Sequence, residues 1–184
     1  SSARAVCDVP RNVPDDVLAA LPANGGVCMV TFVPQFVSPA CAKWQAEAAD
    51  AAREAGVNPT DLGAFYAFTD SWQAPRPKPL ATIADVVAHI EHVREVAGID
   101  HVGIGGDYDG VDTLPEGLED VSGYPRVFAA LLDRSWSEAD LVKLAGANAI
   151  RVLRAAESVA ADLSQRRGPS LATVEALDGD TNGG

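Results

Sequence analysis

Apolar positions fall along this chain in two kinds of block: short unbroken runs, and longer stretches with helical spacing. The clearest short run is Val102 to Ile104, followed by Gly105 and Gly106. It is too brief for a helix, and its glycine border suits a buried parallel strand. Residues 27–33, VCMVTFV, form a second run of β-branched and apolar residues that Pro34 ends, and they predict a second buried strand. Helices are predicted around these strands. Pro14 with Asp15 and Asp16 opens one through Val17, Leu18 and Leu21, which the Asn24-Gly25-Gly26 triplet closes. The alanine-rich residues 39–56 predict another. Thr82 caps a third with Asp85 at its third position, and Ile83, Val86, Val87, Ile90 and Val93 recur at helical period until Gly98. Beyond a polar loop at 111–123, helices are predicted from Pro125 through Phe128, Leu131 and Leu132, from a Ser135 or Ser137 cap with Glu138 in the first turn, and over 147–163.

Residues 57–80 break this pattern. They gather Phe65, Tyr66, Phe68 and Trp72 with the prolines of QAPRPKPL, and show little periodicity. The segment reads as a surface arm near a pocket mouth or a subunit contact. The tail 166–184 is polar and glycine-rich and is expected to be flexible. Strand and helix in alternation give an α/β fold with parallel strands over residues 1–165. Two parallel strands do not close a sheet, so either strands are hidden or the remainder of the sheet is missing.

Composition narrows the function. Of 184 residues 47% are apolar and 22% charged, enough to bury a core. A net charge of -12 and a pI near 4.5 argue against nucleic acid as a partner, because phosphate binding needs basic surface. No run approaches the length of a membrane span. Cys7, Cys28 and Cys41 make an odd count without a C-x-x-C pair, which favours reduced thiols and a cytoplasmic setting. The chain opens on SSARAV without methionine or a signal-peptide pattern and reads as one that starts midway.

The candidate chemistry lies just after Val102–Ile104. Gly105 and Gly106 lead to two carboxylates, Asp107 and Asp109, at the end of a predicted parallel strand, where α/β folds keep their reactive groups. The same pair fits a plain turn that Gly110 closes. G-I-G-G does not match G-x-G-x-x-G, and no phosphate loop occurs, so a doubly wound nucleotide binder finds no support.

Three stretches carry a more specific signal: SSARAVCDVPRNVPDDVLAALPANGGVCMVTFVPQFVS, GIDHVGIGGDYDGVDTLPEGLEDVSGYP, and the segment around Asn148 to Leu153. Together they resemble the latter half of the renal, or membrane, dipeptidase family, in a form similar to its actinobacterial branch. The resemblance implies the carboxyl-terminal part of a (β/α)8 TIM barrel, incomplete here, from an enzyme that hydrolyses dipeptides at two zinc ions through a metal-bridging hydroxide. It implies a proton-transfer role for Asp107, and for Arg11 the role of pairing with the substrate's terminal carboxylate. Phe36 stands at a substrate-contacting position where many relatives carry tyrosine, so a hydroxyl contact is lost. The complete enzyme is expected to take dipeptides as partners, with a homodimer among its assemblies.

The departures limit that picture. The family's metal-binding histidine directly before the serine pair, its H-x-D pair, its bridging glutamate and its other histidine ligand all belong to an amino-terminal half. His89 and His92 are expected on an exposed helix face, and His101 is expected to be structural at the amino end of its strand. No metal ligand is therefore assigned, and the separate chain is expected to bind no zinc pair and to be inactive alone. A non-catalytic fragment, using the 57–80 arm as an interaction surface, is the alternative.

Overall fold

The computed structural model describes residues 1–178. Two compact units divide it, Ser1–Ile150 and Arg151–Gly184. In the first, helix α1 (Asp15–Asn24) precedes strand β1 (Cys28–Val30), which pairs in parallel with β2 (Val102–Ile104) in the register Cys28–Val102, Met29–Gly103 and Val30–Ile104. Among the described residues these two strands are the whole sheet, with isolated bridges Ala3–Val13 and Thr82–Glu116 beside it. β1 is shorter than the predicted run, because Thr31 to Val33 continue past the last pairing residue without ladder partners. Phe32 and Val33 are nonetheless buried, so the apolar signal there reports burial and not pairing.

Between the strands lie α2 (Pro34–Val37), α3 (Pro39–Glu54), α4 (Leu62–Trp72) and α5 (Ile83–Ala97). The last is the organising helix. Thr82 and Asp85 exchange the reciprocal bonds of a capping box at its start, and Val86, Val87, Ile90 and Val93 are fully buried. They pack with Val30, Val102, Leu118, Val127, Leu131 and Leu144 into one core. Each such side chain contributes about 1.5–3 kcal/mol by leaving water. His89 shares the buried face, which corrects the expectation of an exposed histidine pair. Its Nδ1 accepts from the Ala3 N–H at 2.9 Å, and its Nε2–H donates to the Val37 carbonyl at 3.1 Å. The ring thus fastens the entry loop and α2 to α5. Burial pulls its pKa down to about 4. His92 is half-buried and pairs with Asp15 of α1 at 2.8 Å.

The arm is more regular than its sequence suggests. Asp61 accepts from the Ala64 N–H and starts α4, whose Phe65 packs with Trp44, Ala48 and Ala52 of α3 in a second, small core. Spacing four apart on one face won over the nearby prolines, which lie beyond the helix end. Trp44 and Trp72 meet edge to face at 5.4 Å, and the Trp44 indole N–H donates to the Arg76 carbonyl at 2.8 Å.

After β2, helices α6 (Tyr124–Leu132) and α7 (Glu138–Val142) follow. Arg94 of α5 pairs with Asp140 of α7 at 2.7 Å while its guanidinium lies 4.2 Å from the Trp136 ring centroid. Asn148 opens α8 (Asn148–Arg166), and its buried amide donates to the Ile99 and Val102 carbonyls at 2.7 and 2.8 Å, fixing the chain entering β2. The second unit holds the rest of α8 and a short helix α9 (Val174–Asp178), within the stretch expected as a flexible tail. The end of that tail, 179–184, lies outside the described residues. No helix among those described is long and apolar enough to cross a membrane.

Candidate functional site

Two segments far apart in sequence form the site. The entry loop returns on itself through the Arg4 N–H to the Val13 carbonyl (2.9 Å) and the Val13 N–H to the Ser2 carbonyl (2.8 Å). Asn12, buried, donates to the carbonyls of Cys7 (2.8 Å) and Phe36 (2.7 Å), locking the loop onto α2. Arg11, the neighbour of that anchor, stays exposed, and its guanidinium lies 5.3 Å from the Phe36 ring centroid. Such a contact orients a planar cation without neutralising it.

The second segment leaves β2. The Gly105 N–H still donates to the Val30 carbonyl at 2.9 Å, and then the chain departs from the sheet. The Gly106 N–H donates to the Tyr124 hydroxyl at 3.2 Å. A Cβ at Gly106 would lie 2.4 Å from the Tyr108 ring, so any larger residue there must displace that ring. Asp107 then takes a left-handed backbone, φ 62°, which aspartate tolerates better than most side chains. The Gly110 N–H closes the turn on the Asp107 carbonyl at 3.1 Å. The turn reading of DYDG is therefore correct for the backbone, and the same turn exposes the Asp107 carboxylate. Phe32, Tyr108 and Tyr124 support it from below as an aromatic triangle with centroids 5.5–6.1 Å apart. Burial drives the Tyr108 hydroxyl up to about 12, so it stays protonated near neutrality.

Arg11, Phe36 and Asp107 line one cleft of about 310 Å³, together with Gln45 from α3 and Tyr66 from α4. Gln45 and Tyr66 were not singled out from the sequence. Tyr66 sits in the arm, where aromatic content marked a pocket mouth without marking a residue. Asp109 does not line the cleft.

The cleft-lining side chains include a single carboxylate, Asp107, and neither histidine nor cysteine. His101 Nδ1 bonds the Gly26 carbonyl at 2.7 Å, at the amino end of β2, as expected of a structural histidine. Cys7, Cys28 and Cys41 are buried free thiols whose pKa burial raises. Among the described residues no three His, Cys, Asp or Glu side chains gather as a metal ion requires. The donor set thus does not fit a two-metal centre by itself.

Comparison with known proteins places this chain in a class. The family model for membrane dipeptidase, peptidase family M19, matches residues 1–167. The chain belongs to that family of metallopeptidases. It is 39% identical over 160 residues to a dipeptidase of Schizosaccharomyces pombe, covering 86% of this chain and 30% of that protein. It is 38% identical over 159 residues to human Dipeptidase 3, covering 86% and 25%. The chain thus spans about a third or less of the length of these relatives. Among solved structures, the probable dipeptidase PvdM from Pseudomonas aeruginosa superposes with a TM-score of 0.66 at 26% identity, covering 82% of this chain and 42% of that one. A metallopeptidase from Rhodobacter sphaeroides, bound to a phosphinate mimic of L-Ala-D-Ala, shares the fold with a TM-score of 0.60 at 24% identity over 84% and 34%.

Proposed function

We propose that this chain supplies the Arg11–Asp107 cleft of a zinc-dependent dipeptidase, as part of a (β/α)8 barrel. The observation that carries the reading is that a lone exposed guanidinium and a lone carboxylate, from separate segments, line one small hollow. In this reading Arg11 holds the terminal carboxylate of a dipeptide through paired N–H donors, and Phe36 keeps the guanidinium plane in place. Asp107, held by its left-handed turn, moves a proton at the scissile amide. No step is assigned to a metal, because the described residues do not form a metal centre. We place the zinc ligands outside these residues, and the chain by itself is proposed to be inactive.

The reading is tested in a complete enzyme carrying these residues. Asp107→Asn is expected to lower kcat by roughly 10²–10⁴-fold with little change in KM. Arg11→Ala is expected to raise KM for dipeptides with a free carboxylate and to leave amidated ones unaffected. An unchanged kcat in the first variant removes the proton-transfer role. Equal losses on both substrate types in the second remove Arg11 from the site.

A further inference from the structure

A second hollow adjoins the cleft. It has about 380 Å³ and shares Gln45, Phe65 and Tyr66 with the first as a common wall. Its own lining comes from α3 (Trp44), from the arm (Asp70 and Lys78) and from the loop after the Asp107 turn (Asp112). One polar contact spans the hollow, between the arm and that loop. The Lys78 ammonium donates to Thr113 Oγ1 at 2.8 Å and lies 5.7 Å from the Trp44 ring centroid. The Asp112 carboxylate raises the pKa of the Tyr66 phenol on the shared wall.

Charge and surface together select a ligand class. Two carboxylates, Asp70 and Asp112, stand against one ammonium whose charge is already directed at Thr113 and the Trp44 face. Aromatic faces beside carboxylates favour a cation and disfavour an anion. The first hollow, with Arg11 and Asp107, already provides for the ionic and amide groups of a dipeptide backbone. A chamber reached past Gln45 and Tyr66 is left for a side chain.

We propose that this second chamber is a specificity subsite for a long cationic side chain, guanidinium or ammonium, of a dipeptide held in the Arg11–Asp107 cleft. The inference rests on the reading of that cleft as a dipeptide site. The arm, in this role, sets which side chains the cleft accepts.

The test uses the 184-residue chain and follows Trp44, whose indole N–H is fixed by the Arg76 carbonyl. Its NMR resonance is titrated at low salt with alanine–arginine dipeptides in both orders and with their citrulline counterparts, which are neutral and nearly isosteric. In at least one order the arginine dipeptide is expected to bind about three- to fivefold more tightly, the range of a solvent-accessible ion pair. The difference is expected to vanish in the Asp70→Asn/Asp112→Asn double variant, while Arg11→Ala weakens both dipeptides alike. Equal binding of arginine and citrulline in both orders, with Arg11 still required, overturns the cationic subsite and leaves the cleft reading standing. No binding, or binding indifferent to Arg11→Ala, removes the cleft reading and this inference with it.

Discussion

Acidification is expected to destabilise this fold through one side chain, His89. The ring is fully buried and satisfied only as the neutral Nε2–H tautomer, with Nδ1 accepting from Ala3 and Nε2–H donating to Val37. A proton on Nδ1 would set a second donor against the Ala3 N–H in a site closed to bulk solvent. Burial accordingly lowers the pKa from 6.5 to about 4, against a smaller opposing pull from the Val37 carbonyl. The unfolded chain therefore binds more protons than the folded one between these values. Stability is complete above about pH 6.5, falls as pH drops, and levels off below about 4. At 1.36 kcal/mol per unit, the loss approaches roughly 3 kcal/mol, a large share of the 5–15 kcal/mol typical of a domain. Urea denaturation followed by circular dichroism at pH 7.5 and 4.5 measures it, with His89→Gln as the reference that cannot titrate. Carboxylate contributions are shared by the two proteins and cancel in the comparison. Wild type is expected to lose about 2–3 kcal/mol more than the variant between the two pH values. Equal losses, or an NMR titration giving His89 an ordinary pKa, would refute the argument.

Two other substitutions probe the supports of the site. Gly106→Ala places a Cβ 2.4 Å from the Tyr108 ring and 2.9 Å from the Tyr124 hydroxyl. It is expected to cost about 1–3 kcal/mol in urea melts and to shift the amide resonance of Asp107; an unchanged midpoint would show that the aromatic triangle yields freely. Asn148→Ala strips the Ile99 and Val102 carbonyls of their buried donor. A loss of about 1–3 kcal/mol is expected, with faster amide exchange in β2; exchange unchanged in Val102–Ile104 would deny it the anchoring role.

What the sequence made legible, and what it did not, follows from how far each feature depends on long-range contact. β2 and the start of α5 are local: a glycine-bordered V-G-I run and a Thr-x-x-Asp box state themselves in a few residues. α4 is obscured because residues 57–80 show little periodicity and, with the prolines just after it, read as a surface arm, whereas Asp61 and the Phe65 contact to α3 decide the matter, and the second of these is tertiary. His89 shows the same limit in sharper form. Its spacing from Val86 and Val93 puts it on the buried stripe of α5, against the expectation of an exposed His89–His92 pair. The ring is tolerated inside because the Ala3 N–H and the Val37 carbonyl, each far away in sequence, occupy both nitrogens.

The site behaves alike. Asp107 is legible as a carboxylate at a strand end, but Arg11, and the pairing of the two, come only through resemblance to a family, since no local pattern predicts their meeting. The entry loop and the β2 turn come together because Asn12 is locked onto the Phe36 carbonyl while β1 and β2 bring the two segments side by side. Gln45 and Tyr66 carry no signal of their own, since an amide on α3 and a phenol on α4 become cleft walls only once Phe65 packs into α3. The walls of the cleft are thus set by how the arm docks on α3. If the proposed cleft and subsite are right, a substitution that loosens the Trp44–Phe65 cluster is expected to change the preference between arginine and citrulline dipeptides before it changes the dependence of binding on Arg11, as the same NMR titration would measure.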